Sequence, residues 1–482
     1  MARPERAGLG RALGIVPQTT TLPVLDSGAE RLRSILERRP LYLCVETTNI
    51  CNARCVFCAY PKMARPKQVM APKLFAKIVE DYVDMGGGAI ALTPIVGDVL
   101  IDPHFVDRLR LLRSRPEITD VSFTTNGIAS DRFSEGDQRL ILESSDCISF
   151  SIGGLDANSY GRMFGVDRFE KVCKAIESVC SIKSRWKLPL GIHLLFRVDR
   201  PIDALMSDPD MARFRREEIT AISGINSFGN WGGMVGQEDL PPGASVVEAE
   251  ASPEAVLSVK RHACFVYYLA PEVTSSGLVS ACGCMNAEAK ELILGDVRTQ
   301  HLRDIWNGPA FRKLRASFGT DSLPEICKKC TYYQDGEEFI RNPALSRFEV
   351  GDNPWEVIRK HSVAEPGALL SETVKRLVGQ GHRRIALYGA GSFTRTGLAS
   401  KSFAEEALRS VVAVIDDNED LVGKGVANLP IVSQTHATSL GIDAVVLSSD
   451  RYIRRMWEAS QPLREAGVKV VPAGGVTSML EG

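Results

Sequence analysis

Six short apolar runs recur between residues 41 and 235, and each of them carries polar or glycine residues at or next to its C-terminal end. The runs are LYLCVETT, GAIALTPIV, DVSFTTNG, CISFSIGG, PLGIHLLFRV and EITAISGIN. Amphipathic stretches such as PKLFAKIVEDYVDMG lie between them and predict helices. Strands that alternate with helices in this way predict parallel β/α units. Ligands of such folds gather at the carboxyl ends of the strands, so the polar strand ends are expected to line a binding site.

The alternation stops after residue 235 and begins again near residue 376. The intervening part has a loop, a strand pair around Gly277 and one helical stretch, HLRDIWNGPAFRKLRASF. The later α/β pattern runs through RRIALYGAGSF, SVVAVIDDNED, DAVVLSSD and VKVVPAGG. The predicted organisation is an N-terminal extension (1–40), a parallel α/β domain (41–235), a small α+β domain (236–345), a linker (346–375) and a second α/β domain (376–482).

Length and composition agree with a multidomain globular protein. A chain of 482 residues is too long for one hydrophobic core, and its apolar fraction of 44% is ordinary. Lys and Arg number 58 against 59 Asp and Glu, so no basic excess points to a nucleic-acid partner. The N-terminus has no apolar signal segment, and no run is long enough to span a bilayer. We therefore expect a cytoplasmic protein with no membrane partner.

Three of the twelve cysteines fall on one short loop, ETTNICNARCVFCAYP, directly after the first predicted strand. In a reducing compartment such spacing points to metal rather than to disulfides. Thiolates suit zinc, copper(I) and iron–sulfur clusters, and three of them leave one metal position open, as catalytic sites do. The alternative is a structural zinc loop with Cys44 or a remote histidine as the fourth ligand.

The spacing of Cys51, Cys55 and Cys58 resembles the signature of radical S-adenosylmethionine (SAM) enzymes. The resemblance implies a [4Fe–4S] cluster whose fourth iron binds SAM, and an adenosyl radical that removes a hydrogen atom from substrate. It also implies that Phe57 lies against the adenine. The fold it implies for residues 41–235 is a partial (β/α)6 radical SAM barrel.

Three further strand ends resemble SAM-contacting segments of that family. Gly97 and Asp98 resemble the pair that holds the methionyl amine, with Asp98 where glutamate is usual and Val96 where glycine is usual. Asn126 belongs to the third-strand segment TTNG. In SFSIGGLDANSYGRMFG, Ser151 is expected to face the ribose or carboxylate of SAM and Arg162 its carboxylate, with Gly153 where aspartate is usual.

A second cysteine group follows the barrel region and consists of Cys264, Cys282, Cys327 and Cys330. Four thiolates with one close pair would fully ligate a zinc ion or a [4Fe–4S] cluster. The pattern resembles the SPASM/twitch extension of radical SAM enzymes, which implies one auxiliary [4Fe–4S] cluster in a small α+β twitch domain. Cys284 is a spare ligand, a buried residue or a thiol aimed at the substrate.

The C-terminal segment IALYGAGSFTRTGLA predicts a strand, a glycine turn and a helix start, and helix N-termini bind anions. Thr394 occupies the place of the third glycine of the dinucleotide fingerprint, so this motif alone is weak. The segment resembles the Rossmann-like α/β domains of acyltransferases that modify nucleotide sugars. NAD binding, sugar or nucleotide-sugar binding, and a structural or dimerising role stay open.

Taken together, these features predict a radical SAM enzyme that abstracts hydrogen from a carbinol carbon of a sugar or oligosaccharide. Epimerisation is the expected outcome, with Cys284 returning a hydrogen atom. Oxidation of a polyol, modification of a peptide and a non-catalytic iron–sulfur protein are the alternatives. The expected partners are a saccharide or nucleotide sugar and an electron donor such as flavodoxin or ferredoxin. Arg197 and Trp231 are candidate substrate contacts.

Overall fold

Parallel strands form the centre of the computed structural model, which describes residues 24–247, 252–283, 285–340, 345, 348–354, 357, 366–400, 403–449 and 453–473. The chain divides into two units, Met1–His361 and Ser362–Gly482. This division falls inside the stretch predicted as a linker, and the other predicted domain boundaries stay predictions.

The first unit contains a nine-stranded sheet and a separate two-stranded ribbon. Its strands are β1 Leu43–Val45, β2 Gly88–Ala91, β3 Ile118–Thr125, β4 Cys147–Ile152, β5 Gly191–Arg197, β6 Ala221–Ile225, β7 Ser227–Phe228, β8 Ser245–Val246, β9 Glu272–Val273, β10 Leu278–Ser280 and β11 Ile293–Asp296. The order across the large sheet is β11-β10-β9-β1-β2-β3-β4-β5-β6. Strands β1 to β6 are parallel and follow chain order, whereas β10 is antiparallel to β9 and to β11. Each of the six predicted runs overlaps one of β1 to β6, so the α/β prediction is confirmed.

Helices separate these strands. They are α1 Val24–Arg38, α2 Pro72–Asp84, α3 Phe105–Arg113, α4 Glu135–Glu143, α5 Ala157–Phe164, α6 Phe169–Trp186, α7 Ile202–Met206, α8 Pro253–Val259, α9 Val266–Leu269, α10 Leu302–Ile305, α11 Pro309–Arg315, α12 Glu325–Lys329 and α13 Gly336–Ile340. The single helix predicted over residues 301–318 is wrong, because α10 ends at Ile305 and α11 begins at Pro309. Asn307 has a φ of 59°, and Pro309 lacks the N–H that a continuous helix needs.

The core of the first unit follows from the alternation along its strands. Ile148, Phe150 and Ile152 of β4 are buried, as are alternate residues of β5. Helix α5 begins at an Asp156 cap, whose carboxylate accepts the N–H groups of Asn158 at 2.8 Å and Ser159 at 3.0 Å. This helix therefore starts directly after the carboxyl end of β4.

The second unit has a six-stranded sheet in the order β14-β15-β13-β12-β16-β17. The strands are β12 Ile385–Tyr388, β13 Val411–Ile415, β14 Gly425–Val426, β15 Leu429–Val432, β16 Ala444–Leu447 and β17 Lys469–Pro472. All neighbours are parallel except the hairpin of β14 and β15, which the sequence did not predict. The helices are α14 Pro366–Gly379, α15 Ser392–Ala399, α16 Glu405–Leu408, α17 Gln434–Ser439, α18 Ile453–Ala459 and α19 Gln461–Glu465. In the described part of the chain, every helix is too short or too polar to cross a membrane.

Candidate active site and cysteine clusters

The three-cysteine loop follows β1 and is anchored on the C-terminal end of α5. The backbone N–H of Arg54 donates to the Phe164 carbonyl at 2.9 Å, and that of Val56 donates to the Met163 carbonyl at 3.0 Å. Carbonyls in the last turn of a helix lack partners within the helix, so the loop satisfies them. Gly165 ends α5 at a φ of +67°, and a Cβ there would lie 2.5 Å from the Arg54 carbonyl oxygen. Glycine at this position therefore allows the loop to dock.

The thiols of Cys51, Cys55 and Cys58 lie close enough to affect one another's ionisation. Burial raises the pKa of the Cys55 thiol, and Cys58 and Cys51 raise it further. Burial raises the pKa of Cys51 to about 12. Burial also raises the pKa of Cys58, whereas Arg197 at the end of β5 lowers the pKa of both Cys55 and Cys58. Three neighbouring thiols beside a guanidinium form a donor set that fits an iron–sulfur cluster.

The segment that contains Gly97 and Asp98 packs directly against the residues that lead into this loop. The backbone N–H of Asp98 donates to the Ile50 carbonyl at 2.8 Å. Gly97 has a φ of +133°, and a Cβ there would lie 2.8 Å from the Thr48 carbonyl oxygen. The backbone of the second strand end is therefore held beside the start of the cysteine loop.

The Asp98 carboxylate is buried and holds the end of β3. It accepts the N–H of Leu100 at 3.0 Å, the N–H of Asn126 at 2.7 Å and the Thr125 hydroxyl at 2.9 and 3.0 Å. Burial raises the pKa of Asp98 to about 6. The Asn126 side-chain amide in turn donates to Cys51 Sγ at 3.6 Å. Both carboxylate oxygens have partners within the protein, and their contact with SAM stays a prediction.

The structure separates the two residues that were predicted to meet the SAM ribose and carboxylate. Ser151 Oγ accepts a hydrogen bond from Arg197 Nε at 3.3 Å. Arg162 is half exposed, with 53% of its side-chain area accessible, and pairs with Asp199 at 2.7 Å. Arg162 thus lies in a cleft of about 390 Å³ that is lined by Asp156, Ser159, Arg162, Asp199, Arg200, Pro241 and Pro242. The guanidinium that lies at Ser151 and beside the thiols is therefore that of Arg197.

Phe57 forms the centre of an aromatic group next to the thiols. Its ring stacks on Phe228 with centroids 4.8 Å apart and meets Phe164 edge-on at 5.6 Å. The Arg197 guanidinium lies 5.4 Å from the ring centroid. Cation–π contact of this kind attracts a guanidinium to the face of an aromatic ring. The predicted contact between Phe57 and adenine stays a prediction.

Residues 228–233 connect the two cysteine groups, and we call them the bridging segment. Trp231 Nε1 donates to the Phe57 carbonyl at 2.9 Å, next to Cys58. Asn230 Nδ2 donates to the Lys329 carbonyl at 2.7 Å, next to Cys330. Trp231 has a φ of 51°, which is uncommon for a residue other than glycine. Strained backbone of this kind is held by its surroundings, here by contacts at both cysteine loops.

The second cysteine group lies around the ends of β10 and α12. Burial, with contributions from Cys282 and Cys330, raises the pKa of the Cys264 thiol to about 12. Burial raises the pKa of Cys327 to about 12, again with contributions from Cys282 and Cys330. The structure therefore brings all four predicted thiols together. Cys284 lies outside the described residues.

The last cysteine of each group shares a local feature. Cys58 Sγ accepts the backbone N–H of Tyr60 at 3.4 Å, and Cys330 Sγ accepts that of Tyr332 at 3.3 Å. An N–H aimed at sulfur stabilises the thiolate form that metals bind.

Cys44, the candidate fourth zinc ligand, lies on β1 opposite Glu272 of β9. Burial and then Glu272 raise the pKa of this thiol. Among the described residues, no three His, Cys, Asp or Glu side chains are arranged to hold a single metal ion. In a four-iron cluster each thiolate binds a different iron atom, so the sulfur atoms lie farther apart than the ligands of a single metal ion.

Comparison with known families decides between these possibilities. Residues 45–193 match the family model for the radical SAM superfamily, and residues 264–331 match the model for the iron–sulfur cluster-binding domain SPASM. This chain contains a radical SAM domain and a SPASM domain. The radical SAM domain implies a [4Fe–4S] cluster and SAM, and the SPASM domain implies auxiliary iron–sulfur clusters.

Curated relatives match only part of this chain. The GTP 3′,8-cyclase of Pasteurella multocida is 26% identical over 160 residues, which are 33% of this chain and 46% of the relative. The GTP 3′,8-cyclase of Chlorobaculum tepidum is 27% identical over 143 residues, which are 30% of this chain and 42% of the relative. The chain thus spans about half the length of the curated relatives it matches.

Two solved structures with similar regions are BtrN in complex with AdoMet and 2-DOIA, and Streptococcus suis SuiB bound to the precursor peptide SuiA. BtrN is 16% identical with a TM-score of 0.41, over 62% of this chain and 95% of BtrN. SuiB is 14% identical with a TM-score of 0.44, over 64% of this chain and 75% of SuiB.

Sequence reasoning missed several residues that surround the thiols. Phe228 stacks on Phe57, and Tyr267 and Lys260 lie at the second cysteine group. Lys260 and Tyr267 stand four residues before and three residues after Cys264, but residues 260–265 lie between α8 and α9, so no helical periodicity indicates them. Phe228 has no sequence signal either, because its contact depends on the approach of two distant loops.

Proposed function

We propose that this protein abstracts a hydrogen atom from a carbinol carbon of a sugar or oligosaccharide, using SAM bound at a cluster on Cys51, Cys55 and Cys58. The observation that carries the proposal is the set of three neighbouring thiols on a loop at the carboxyl ends of parallel strands. When bound, the cluster supplies the electron that cleaves SAM and so generates the radical that attacks the substrate.

The residues around the thiols prepare this loop for a negatively charged cluster. Arg197 offers positive charge to Cys55 and Cys58, and the Asn126 amide offers a hydrogen bond to Cys51. Burial raises the pKa of these thiols, so iron binding must release their protons. The strand ends then exclude water from the metal site, as radical chemistry requires.

We infer that the SAM contacts come from the same strand ends. The Gly97 backbone lies beside the loop, Asp98 fixes Asn126, and Ser151 and Arg197 are joined by a hydrogen bond. These groups would offer SAM a backbone carbonyl, a side-chain amide and a guanidinium. The predicted carboxylate contact of Arg162 requires its release from Asp199.

The second unit supports a saccharide or nucleotide-sugar substrate. We infer that it is Rossmann-like, because its parallel strands place the first strand, β12, at the centre of the sheet. Thr394 fills the third-glycine position, where its hydroxyl donates to Ser448 Oγ at 2.6 Å. The Ala390 N–H of the glycine turn donates to Asp416 at 2.6 Å. Because the Asp416 carboxylate already accepts the Ala390 N–H, a phosphate group of a ligand would not bind at that N–H. This favours an uncharged sugar over the phosphates of a dinucleotide as the ligand of the turn.

The fate of the substrate radical separates two outcomes. In epimerisation, a thiol on the opposite face returns a hydrogen atom, and Cys284 is the proposed donor. In oxidation, a base would take a proton from the carbinol radical, and an auxiliary cluster held by Cys264, Cys282, Cys327 and Cys330 would serve as the acceptor of the remaining electron, so that the product would be a ketone. An electron donor such as flavodoxin or ferredoxin is required for SAM cleavage in both cases.

The curated relatives favour a second candidate substrate. GTP 3′,8-cyclase acts, by its name, on the 3′ and 8 positions of GTP, and the 3′ position is a ribose carbinol carbon. A nucleoside triphosphate would therefore present the same kind of C–H bond as a sugar.

Anaerobic reconstitution with a set of sugars, nucleotide sugars and GTP would test the proposal. We expect 5′-deoxyadenosine to form together with substrate consumption only with a sugar or nucleotide sugar. Uptake of one solvent deuterium, lost in Cys284→Ala, would identify epimerisation, and a product two mass units lighter would identify oxidation. Turnover of GTP alone would replace the saccharide with a nucleotide, and no 5′-deoxyadenosine with any substrate would refute the enzymatic proposal.

A further inference from the structure

The Cys327 thiol has a hydroxyl partner deep in the protein. Tyr267 Oη lies 3.1 Å from Cys327 Sγ, and Tyr267 is 2% exposed. Its ring is fixed by an edge-on contact with Phe318, with centroids 5.4 Å apart. A cysteine that binds iron does so as thiolate, so the phenol is then the donor of this hydrogen bond.

A lysine lies under the same loop. Lys260 is 4% exposed, and its Nζ donates to the carbonyls of Cys327 at 2.7 Å, Lys328 at 3.1 Å and Cys330 at 2.6 Å. The three carbonyls follow the turn that carries both thiols of the Cys-x2-Cys pair. The ammonium therefore gives this turn its shape and places a positive charge next to two cluster ligands.

These two side chains act on a cluster that changes charge when it changes oxidation state. One-electron reduction of a fully thiolate-ligated [4Fe–4S] cluster adds one negative charge, and that charge spreads onto the thiolate sulfurs. A hydrogen bond to sulfur and a nearby cation stabilise the more negative state. In a buried site, the electrostatic stabilisation that a hydrogen bond and a cation provide is larger than in water.

We propose that Tyr267 and Lys260 raise the reduction potential of the auxiliary cluster and thereby make it an electron acceptor. Both are positioning residues, because neither is placed at the substrate. The inference rests on the four cysteines as cluster ligands, and it does not depend on which substrate is bound. It deepens the oxidation outcome, in which one electron must leave the carbinol radical.

The test is a redox titration of the reconstituted full-length protein, followed by electron paramagnetic resonance, with dithionite as reductant. Tyr267→Phe keeps the ring and removes the hydroxyl. We expect its equilibrium constant for reduction of the auxiliary cluster to fall roughly tenfold, which is about 59 mV to more negative potential. The first cluster, in the same sample, should titrate as in the wild type.

Tyr268→Phe is the matched control, because it removes the neighbouring hydroxyl from a ring that lies under the Arg315 guanidinium at 4.7 Å. We expect it to leave both potentials unchanged. Lys260→Met should shift the reduction potential of the auxiliary cluster in the same direction as Tyr267→Phe. If the tyrosine variant does not retain iron, the lysine variant is used for the test instead. An unchanged midpoint in a variant with full iron content would overturn the inference.

The outcome is separable from the proposed function. Formation of 5′-deoxyadenosine depends on the first cluster. If the wild-type protein formed no 5′-deoxyadenosine, the enzymatic proposal would be refuted, but the reduction potential of the auxiliary cluster could still be measured and compared between variants. A shifted potential with normal 5′-deoxyadenosine formation would support the role of Tyr267 and Lys260 by itself.

Discussion

Replacing Asp98 by asparagine tests how the strand ends hold the first cysteine loop. The carboxylate accepts two backbone N–H groups on different oxygens, that of Leu100 at 3.0 Å and that of Asn126 at 2.7 Å. Asparagine offers one oxygen, so one N–H must face an amide NH₂ group. Asp98 is 1% exposed, and water is therefore not available as a substitute partner.

The expected loss of stability in Asp98→Asn follows from the backbone N–H that is left without an acceptor. A buried donor without a partner costs about 1–3 kcal/mol. Asn126 would then lose its fixed position, and with it the 3.6 Å contact from its amide to Cys51 Sγ. We expect Asp98→Asn to lower the unfolding midpoint of the first unit and to weaken SAM binding and 5′-deoxyadenosine formation.

The assay compares thermal unfolding, SAM binding by calorimetry and 5′-deoxyadenosine formation in the reconstituted protein. Asp156→Asn is the control, because Asp156 also accepts two backbone N–H groups but on one oxygen at a helix cap, where asparagine is equally suitable. If Asp98→Asn matched Asp156→Asn in all three measurements, the bracing role of Asp98 would be refuted.

Three further substitutions test other parts of the account. Gly165→Ala places a Cβ 2.5 Å from the Arg54 carbonyl oxygen, so we expect reduced iron loading of the first cluster, and wild-type loading would contradict the docking of the loop on α5. Trp231→Phe removes the 2.9 Å hydrogen bond to the Phe57 carbonyl, at a cost of about 1 kcal/mol. We expect a lower unfolding midpoint and altered magnetic coupling between the reduced clusters, and identical spectra would exclude a bridging role. Cys330→Ser should remove the auxiliary cluster while SAM still perturbs the spectrum of the first, and loss of both clusters would show that the two sites do not assemble independently.

Sequence periodicity was sufficient for the main strands and for the cysteine groups. The six apolar runs with polar ends correspond to β1 to β6, because the strands of a parallel sheet covered by helices are largely apolar along their length. The cysteines were evident from spacing alone, since ligands on one short loop are necessarily near one another. The hairpin of β14 and β15 was missed, because its strands of two and four residues carry too few positions for a pattern.

Contacts between distant loops could not be predicted from the sequence. The pairing of Arg162 with Asp199 depends on how α5 approaches the loop after β5, which no local pattern records. In the same way, Arg197 comes to lie at Ser151 and beside the thiols because β4 and β5 are neighbours in the sheet. The side chain that meets a cofactor is thus set by tertiary packing, whereas the donor atoms that hold a cluster are set by local spacing.

The most direct test is the spectrum of the reduced first cluster with and without SAM. The full-length Cys330→Ser variant, reconstituted and reduced anaerobically, isolates that cluster. If Cys51, Cys55 and Cys58 leave one iron open for the cofactor, SAM will change the g values of the signal and 5′-deoxyadenosine will accumulate. A four-iron cluster whose spectrum is the same with and without SAM would contradict the account.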